Sequence, residues 1–157
     1  MTDPNYTHMA FLLDASGSMA SIKSDVEGGF DAFIAEQRTQ PGRCTVSLAD
    51  FSGAGDYQVR YTGKDLAAVE PLVLQPRGMT ALLDSIGRMI TETGQWLAQL
   101  PEESRPGLVI VGIMTDGLEN NSREWTRDAV RALIEQQERD YSWVFHYLGA
   151  NQDAIEE

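Results

Sequence analysis

Residues 8–18, His-Met-Ala-Phe-Leu-Leu-Asp-Ala-Ser-Gly-Ser, decide how this chain is read. The first seven form a near-continuous apolar run that ends in an acid, Asp14. A run without polar alternation suits a strand buried on both faces, as in a parallel sheet. Small, turn-forming residues follow, and 21–39 then read as a helix. Ile22, Val26, Phe30, Phe33 and Ile34 recur at spacings of three and four, which is one helical face. Gly28-Gly29 weakens that helix and predicts close packing or a local irregularity there.

The same alternation runs outward along the chain. Pro41-Gly42 stops the helix. Residues 43–51 (RCTVSLADF) and 57–62 (YQVRYT) read as a β-hairpin around a Gly-containing turn, its second strand an edge because its alternate positions are polar. Residues 65–70 suit one helical turn, and 71–79, with two prolines and a glycine, a loop. A second helix covers roughly 81–99, with Leu82, Leu83, Ile86, Met89, Ile90 and Leu97 on its apolar face. A solvated linker, 101–107, leads to 108–115 (LVIVGIMT), the most strand-like run, with Asp116 directly after it. A third amphipathic helix spans 124–139, turning Trp125, Ala129, Val130, Leu133 and Ile134 inward, and 142–148 is another buried strand. Strands alternating with helices predict an α/β sandwich: a mostly parallel central sheet, helices on both faces, one antiparallel edge strand. The 157 residues suit a single domain.

Apolar residues make up 42% of the chain and charged residues 23%, the balance of a globular protein. The 24 acidic residues outnumber 12 basic ones, for a formal net charge of −12. Such a surface repels phosphate backbones and anionic lipid heads, so neither nucleic acid nor membrane is expected as a partner. The single cysteine, Cys44, excludes an internal disulfide framework; it opens an apolar run and reads as a buried, inert thiol. The N-terminus has no basic segment followed by an apolar one, and no stretch approaches a membrane span, so a cytoplasmic location is the simplest expectation.

In open α/β sheets, ligands collect outside the carboxyl ends of the parallel strands. Asp14, Ser16 and Ser18 follow the first strand as D-x-S-x-S. Thr80 lies on the loop entering the second long helix, and Asp116 follows the 108–115 strand. Taken singly, Ser16, Ser18 and Thr80 would serve as helix caps, and Asp14 and Asp116 as turn residues. Together, the set brings two carboxylates and three hydroxyls to one end of the sheet. Hard oxygen ligands suit Mg²⁺, Mn²⁺ or Ca²⁺ and argue against zinc or copper. Mg²⁺ takes about six ligands, so an acidic group on a partner is the natural occupant of an open position. The N-terminus of the first helix would favour that incoming anion. Arg77 and Met79, flanking Thr80, would contact a ligand at the rim. His8 and His146 sit in or beside apolar strands and read as structural.

The segments LLDASGS, GMTALLDSI and IMTDGLEN resemble the three loops of the metal-ion-dependent adhesion site of von Willebrand factor type A domains, and ADFS at 49–52 resembles that family's second strand. Asp14, Ser16 and Ser18 match its first loop, Thr80 the second and Asp116 the third. The resemblance covers nearly the whole chain, 1–157. It implies a Rossmann-like three-layer fold, a Mg²⁺-type ion, and binding without catalysis, with Asp116 reaching the metal through water. The family usually continues beyond the strand matching 142–148 with a helix, an edge strand and a final helix, so the resemblance implies a domain that is short at its C-terminus.

The expectation is therefore a divalent-metal-dependent protein-binding module. Two alternatives belong to other classes. One is a metal-dependent phosphotransferase or hydrolase with Asp14 as nucleophile. Against it, haloacid-dehalogenase-type enzymes need a second acid two residues on, where this chain has Ser16, and the nearest lysine, Lys23, lies in the first helix. The other is a structural assembly subunit whose site is vestigial.

Overall fold

The computed structural model describes residues 3–53, 56–78, 81–115, 126–141 and 143–149. Its central strand contains the apolar run 8–14. β1 (Asp3–Asp14) lies between β2 (Arg43–Phe51) and β4 (Pro106–Thr115), parallel to both. β5 (Val144–Gly149) pairs in parallel with β4, and β3 (Tyr57–Asp65) pairs antiparallel with β2. The order across the sheet is β3-β2-β1-β4-β5. The hairpin, its antiparallel edge strand and the parallel centre are as the sequence predicts.

A strand covered on both faces needs apolar residues at every position, and β1 shows how they divide. Met9, Phe11 and Leu13 pack with Phe30 and Ile34 of α1 (Lys23–Gln37). Ala10 and Leu12 pack with Ile86, Met89 and Ile90 of α2 (Leu82–Ala98) and with Val130 of α3 (Arg127–Tyr141). Two apolar cores thus lie on opposite faces of one sheet, which makes three layers. Phe11 meets Phe30 edge-on, ring centroids 5.1 Å apart, in space left by Gly112; a Cβ there would come within 2.9 Å of its ring.

Three expectations are corrected. The first helix opens with a 3-10 turn, Gly17–Ile22, before α1 begins. Gly28-Gly29 brings neither close packing nor a break: α1 is continuous, both residues are exposed, and a Cβ at either would meet nothing within 4 Å. The pair lies off the apolar stripe, where no neighbour approaches. β1 starts at Asp3 rather than near residue 8, because Tyr6 is drawn in against β2 and its hydroxyl bonds Thr45 Oγ1 at 2.7 Å.

The segment from Val69 to Gly78 has no helix or strand, yet its polar backbone is satisfied from both sides. Arg38 donates to Leu66 O and Val69 O. Asp31 and Glu27 of α1 accept from the N–H groups of Leu72 and Leu74, at 2.9 and 2.7 Å. Leu72 and Leu74 are themselves buried in the α1-side core. This strap leads directly into the second predicted metal loop.

Candidate metal centre

Parallel β1, β2 and β4 end at one rim, so residues just beyond their carboxyl ends meet there. Asp14 closes β1 and is 0% exposed. One of its oxygens accepts from the backbone N–H of Ser16 at 2.8 Å, and the other from the Thr115 hydroxyl at 2.7 Å. The first contact is the turn role open to this residue from sequence. A carboxylate offers about four acceptor positions, so turn and ligand roles do not exclude each other.

Ser16, also buried, occupies the cap position of the 3-10 turn with extended backbone, φ −67° and ψ 163°. Its side chain makes no capping hydrogen bond, which removes the simple cap reading. Ser18 lies within the same turn. Thr80, Met79, Asp116 and His146's side chain lie outside the described residues, but the immediate flanks of the two loops are described. Gly17 N–H donates to Gly78 O at 3.0 Å, Arg77 N–H to Ala15 O at 2.5 Å, and Ala81 N–H to Ser52 O at 2.7 Å. Thr115, the residue before Asp116, is the one bonded to Asp14. The described flanks of the second and third loops therefore meet the first loop at Asp14, Ala15 and Gly17. Gly78 is needed at its place: its φ is +64°, and a Cβ would come within 3.0 Å of Ser52 Oγ.

The neighbouring strand carries a second buried carboxylate, which the sequence pattern did not single out. Asp50, 0% exposed near the end of β2, is paired with the guanidinium groups of Arg60 and Arg77. Arg77 also grips Asp56, its Nε 2.8 Å from Oδ2 and its Nη2 3.0 Å from Oδ1. Ser52 Oγ donates to the same carboxylate. These bonds, Arg77 foremost, hold the Asp56 carboxyl below its ordinary range. Arg77, expected to meet a ligand at the rim, is thus committed to a clasp between the strap and the β2–β3 hairpin. The available signal was an aspartate near the end of a strand whose last residues, Leu48, Ala49 and Phe51, are apolar; burial there obliges it to find a partner.

Away from the rim, the structural reading of His8 is upheld. It is buried, with Nδ1 2.7 Å from Thr45 Oγ1, Nε2 3.1 Å from Ser47 Oγ, and its ring 4.7 Å from that of Trp96. Burial lowers its pKa to about 4. Cys44 is half-buried, and burial, with Asp65 nearby, pushes its thiol up to about 11, in keeping with an inert residue. Among the described residues no three His, Cys, Asp or Glu side chains cluster as a metal site; the set named from sequence is of another kind, hydroxyl-rich with two carboxylates. No described helix is long and apolar enough to cross a membrane.

No protein-family model and no curated protein sequence matches the chain. Solved structures do. A von Willebrand factor type A protein from Catenulispora acidiphila is 16% identical, with a TM-score of 0.59 over 92% of this chain and 33% of that one. Proximal thread matrix protein 1 from the mussel byssus is 16% identical, with a TM-score of 0.60 over 93% of this chain and 36% of that one. The manganese-loaded TRAP protein of Plasmodium vivax is 12% identical, with a TM-score of 0.60 over 96% of this chain and 61% of that one. The chain thus has the von Willebrand factor type A fold, and spans from a third to about three-fifths of the length of these proteins.

Proposed function

We propose that this chain is a protein-binding module that works through a divalent ion held at the rim of its parallel sheet. Asp14, Ser16, Ser18 and Thr80 would supply oxygens to Mg²⁺, with Mn²⁺ or Ca²⁺ able to replace it, and Asp116 would hold it through water. When bound, such an ion supplies a Lewis-acidic position that an acidic side chain of a partner protein can occupy. The chain's own part is to hold these oxygens still. Asp14 is fixed through Ser16 and Thr115, and the β1 loop is fixed to the flanks of the second loop.

The observation that carries this reading is that the described flanks of the second and third loops meet the first loop at Asp14, Ala15 and Gly17. The donor chemistry fits, because buried hard oxygens suit a hard cation. The fold adds support, since one of the similar structures is described as manganese-loaded. Binding without catalysis is part of the proposal. The residue two after Asp14 is a serine, and Lys23, the nearest lysine in sequence, is paired with Glu27 at 2.8 Å. The cytoplasm remains the proposed compartment.

Titration calorimetry with Mn²⁺ and Mg²⁺ tests the reading. The wild-type chain should bind and gain in Tm, and Asp14→Ala should do neither. Pull-down from the native source, with and without EDTA, should then show a protein lost on chelation. A wild-type chain indifferent to both ions would overturn the proposal.

A further inference from the structure

The clasp around Arg77 has a role that its salt bridges alone do not describe. Arg77 lies in the strap that runs into the second loop. Its backbone N–H is bonded to Ala15 O, beside Asp14, while its side chain spans two carboxylates of the hairpin. Arg60 adds a bond from Nη1 to Val73 O at 3.1 Å, and Arg77 Nη1 bonds Gln75 O at 3.2 Å. The residues just past the clasp are those that meet the first loop, Gly78 against Gly17, and the hairpin, Ala81 against Ser52. A loop without secondary structure has no ladder to fix it, so side chains must do so. Only a planar guanidinium can bridge two carboxylates in this manner; an ammonium is a point charge.

We propose that Arg77 is a positioning residue for the rim: by bridging Asp50 and Asp56 it holds the second loop against the first, and so sets how tightly the rim takes a divalent ion. The affinity part rests on the function proposed above; the positioning part does not. Residues that orient metal ligands without touching the metal commonly change affinity by about 10- to 100-fold when removed.

The test uses the whole chain with Arg77→Met, Arg77→Lys, and a control, Val130→Ala on α3, matched for loss of Tm. Amide hydrogen exchange is followed at Gly17 and Ala81 in EDTA, and Mn²⁺ affinity by calorimetry well below each Tm. In Arg77→Met, the Gly17 and Ala81 amides should exchange at least tenfold faster than in the control, while Ile110 in β4 is unchanged. Mn²⁺ binding should weaken about tenfold or more, with Arg77→Lys restoring only part of either effect. Exchange at Gly17 and Ala81 equal to the control's, or full rescue by lysine, would overturn the proposal. If the wild-type chain bound no Mn²⁺ but Arg77→Met still loosened Gly17, the positioning role would stand and the metal-dependent function would fall.

Discussion

Asp14 and Asp50 lie at the ends of adjacent parallel strands, one register step apart and so on opposite faces of the sheet, and both are fully buried. Their surroundings differ. Asp50 is held by two guanidinium groups of its own chain. Asp14 is held by a backbone N–H and a hydroxyl. The first is an internal ion pair whose charge is answered within the fold. The second is a carboxylate whose described contacts come from neutral donors, at the rim where the strands deliver their ligands. Burial alone therefore does not tell a structural carboxylate from a candidate ligand; the chemistry of the donors around it does.

The largest expected effect breaks or keeps that contrast directly. In EDTA, Asp50→Asn should lose about 3–4 kcal/mol, because it leaves two arginines aimed at a neutral amide. Asp14→Asn should lose less, about 1.5–3 kcal/mol, the scale of a hydrogen bond to a charged group. Urea denaturation of both variants measures the difference. Equal losses, or the reverse order, would mean that the two carboxylates play the same part.

The middle of β1 sharpens the comparison through pH. His8 is neutral in the fold, its pKa lowered by burial from 6.5 to about 4. The unfolded chain takes up the proton first, so its stabilising contribution is full above about pH 6.5 and falls as pH drops toward 4. At about 1.4 kcal/mol per pH unit, the loss across that window is about 3 kcal/mol. Urea midpoints between pH 7 and 4.5 should fall steeply in the wild-type chain and much less in His8→Gln. A wild-type profile flat over this range would show that His8 charges without leaving its site among Thr45, Ser47 and Trp96.

The sheet was legible in the sequence because its signal is periodic and local. The run at 8–14 suited a strand buried on both faces, and the polar alternation of 57–62 marked an edge. Asp14 and Ser16 were legible for the same reason, as the residues beyond a strand end. The strap and its clasp were not. Leu74 N–H is answered by Glu27, 47 residues away, and Asp50 by Arg77, 27 residues away. No spacing rule links such partners. Arg77 was legible as a charged residue near the rim but not as one already engaged. Thr80 and Asp116 rest on sequence together with the described positions of their neighbours.

A bound ion separates the two carboxylates a second time. At 100 times the dissociation constant, Mn²⁺ should add about 2.7 kcal/mol to the wild-type chain. It should add nothing to Asp14→Ala. Asp50→Asn keeps its ligands but loses part of its clasp, so it should regain the same increment only at higher ion concentration. Thermal denaturation over an Mn²⁺ series reads all three. An ion-induced rise surviving in Asp14→Ala would move the site away from this rim.

The smallest effect asks whether the rim is isolated from α1. Gly28 and Gly29 lie in the exposed interior of that helix, and an added Cβ at either would meet nothing within 4 Å. Glycine costs about 0.8–1.0 kcal/mol relative to alanine in a helix interior, so Gly28→Ala and Gly29→Ala should each add about 1 kcal/mol. Glu27, the residue before the pair, accepts the Leu74 N–H of the strap. Stiffening α1 could therefore reach the second loop through that bond. If Arg77 and its carboxylates alone set the loop, both variants should gain stability while Mn²⁺ affinity stays at the wild-type value. A change in affinity accompanying the gain would show that α1 shares control of the rim through Glu27, and the contrast between the two carboxylates would then extend to a third.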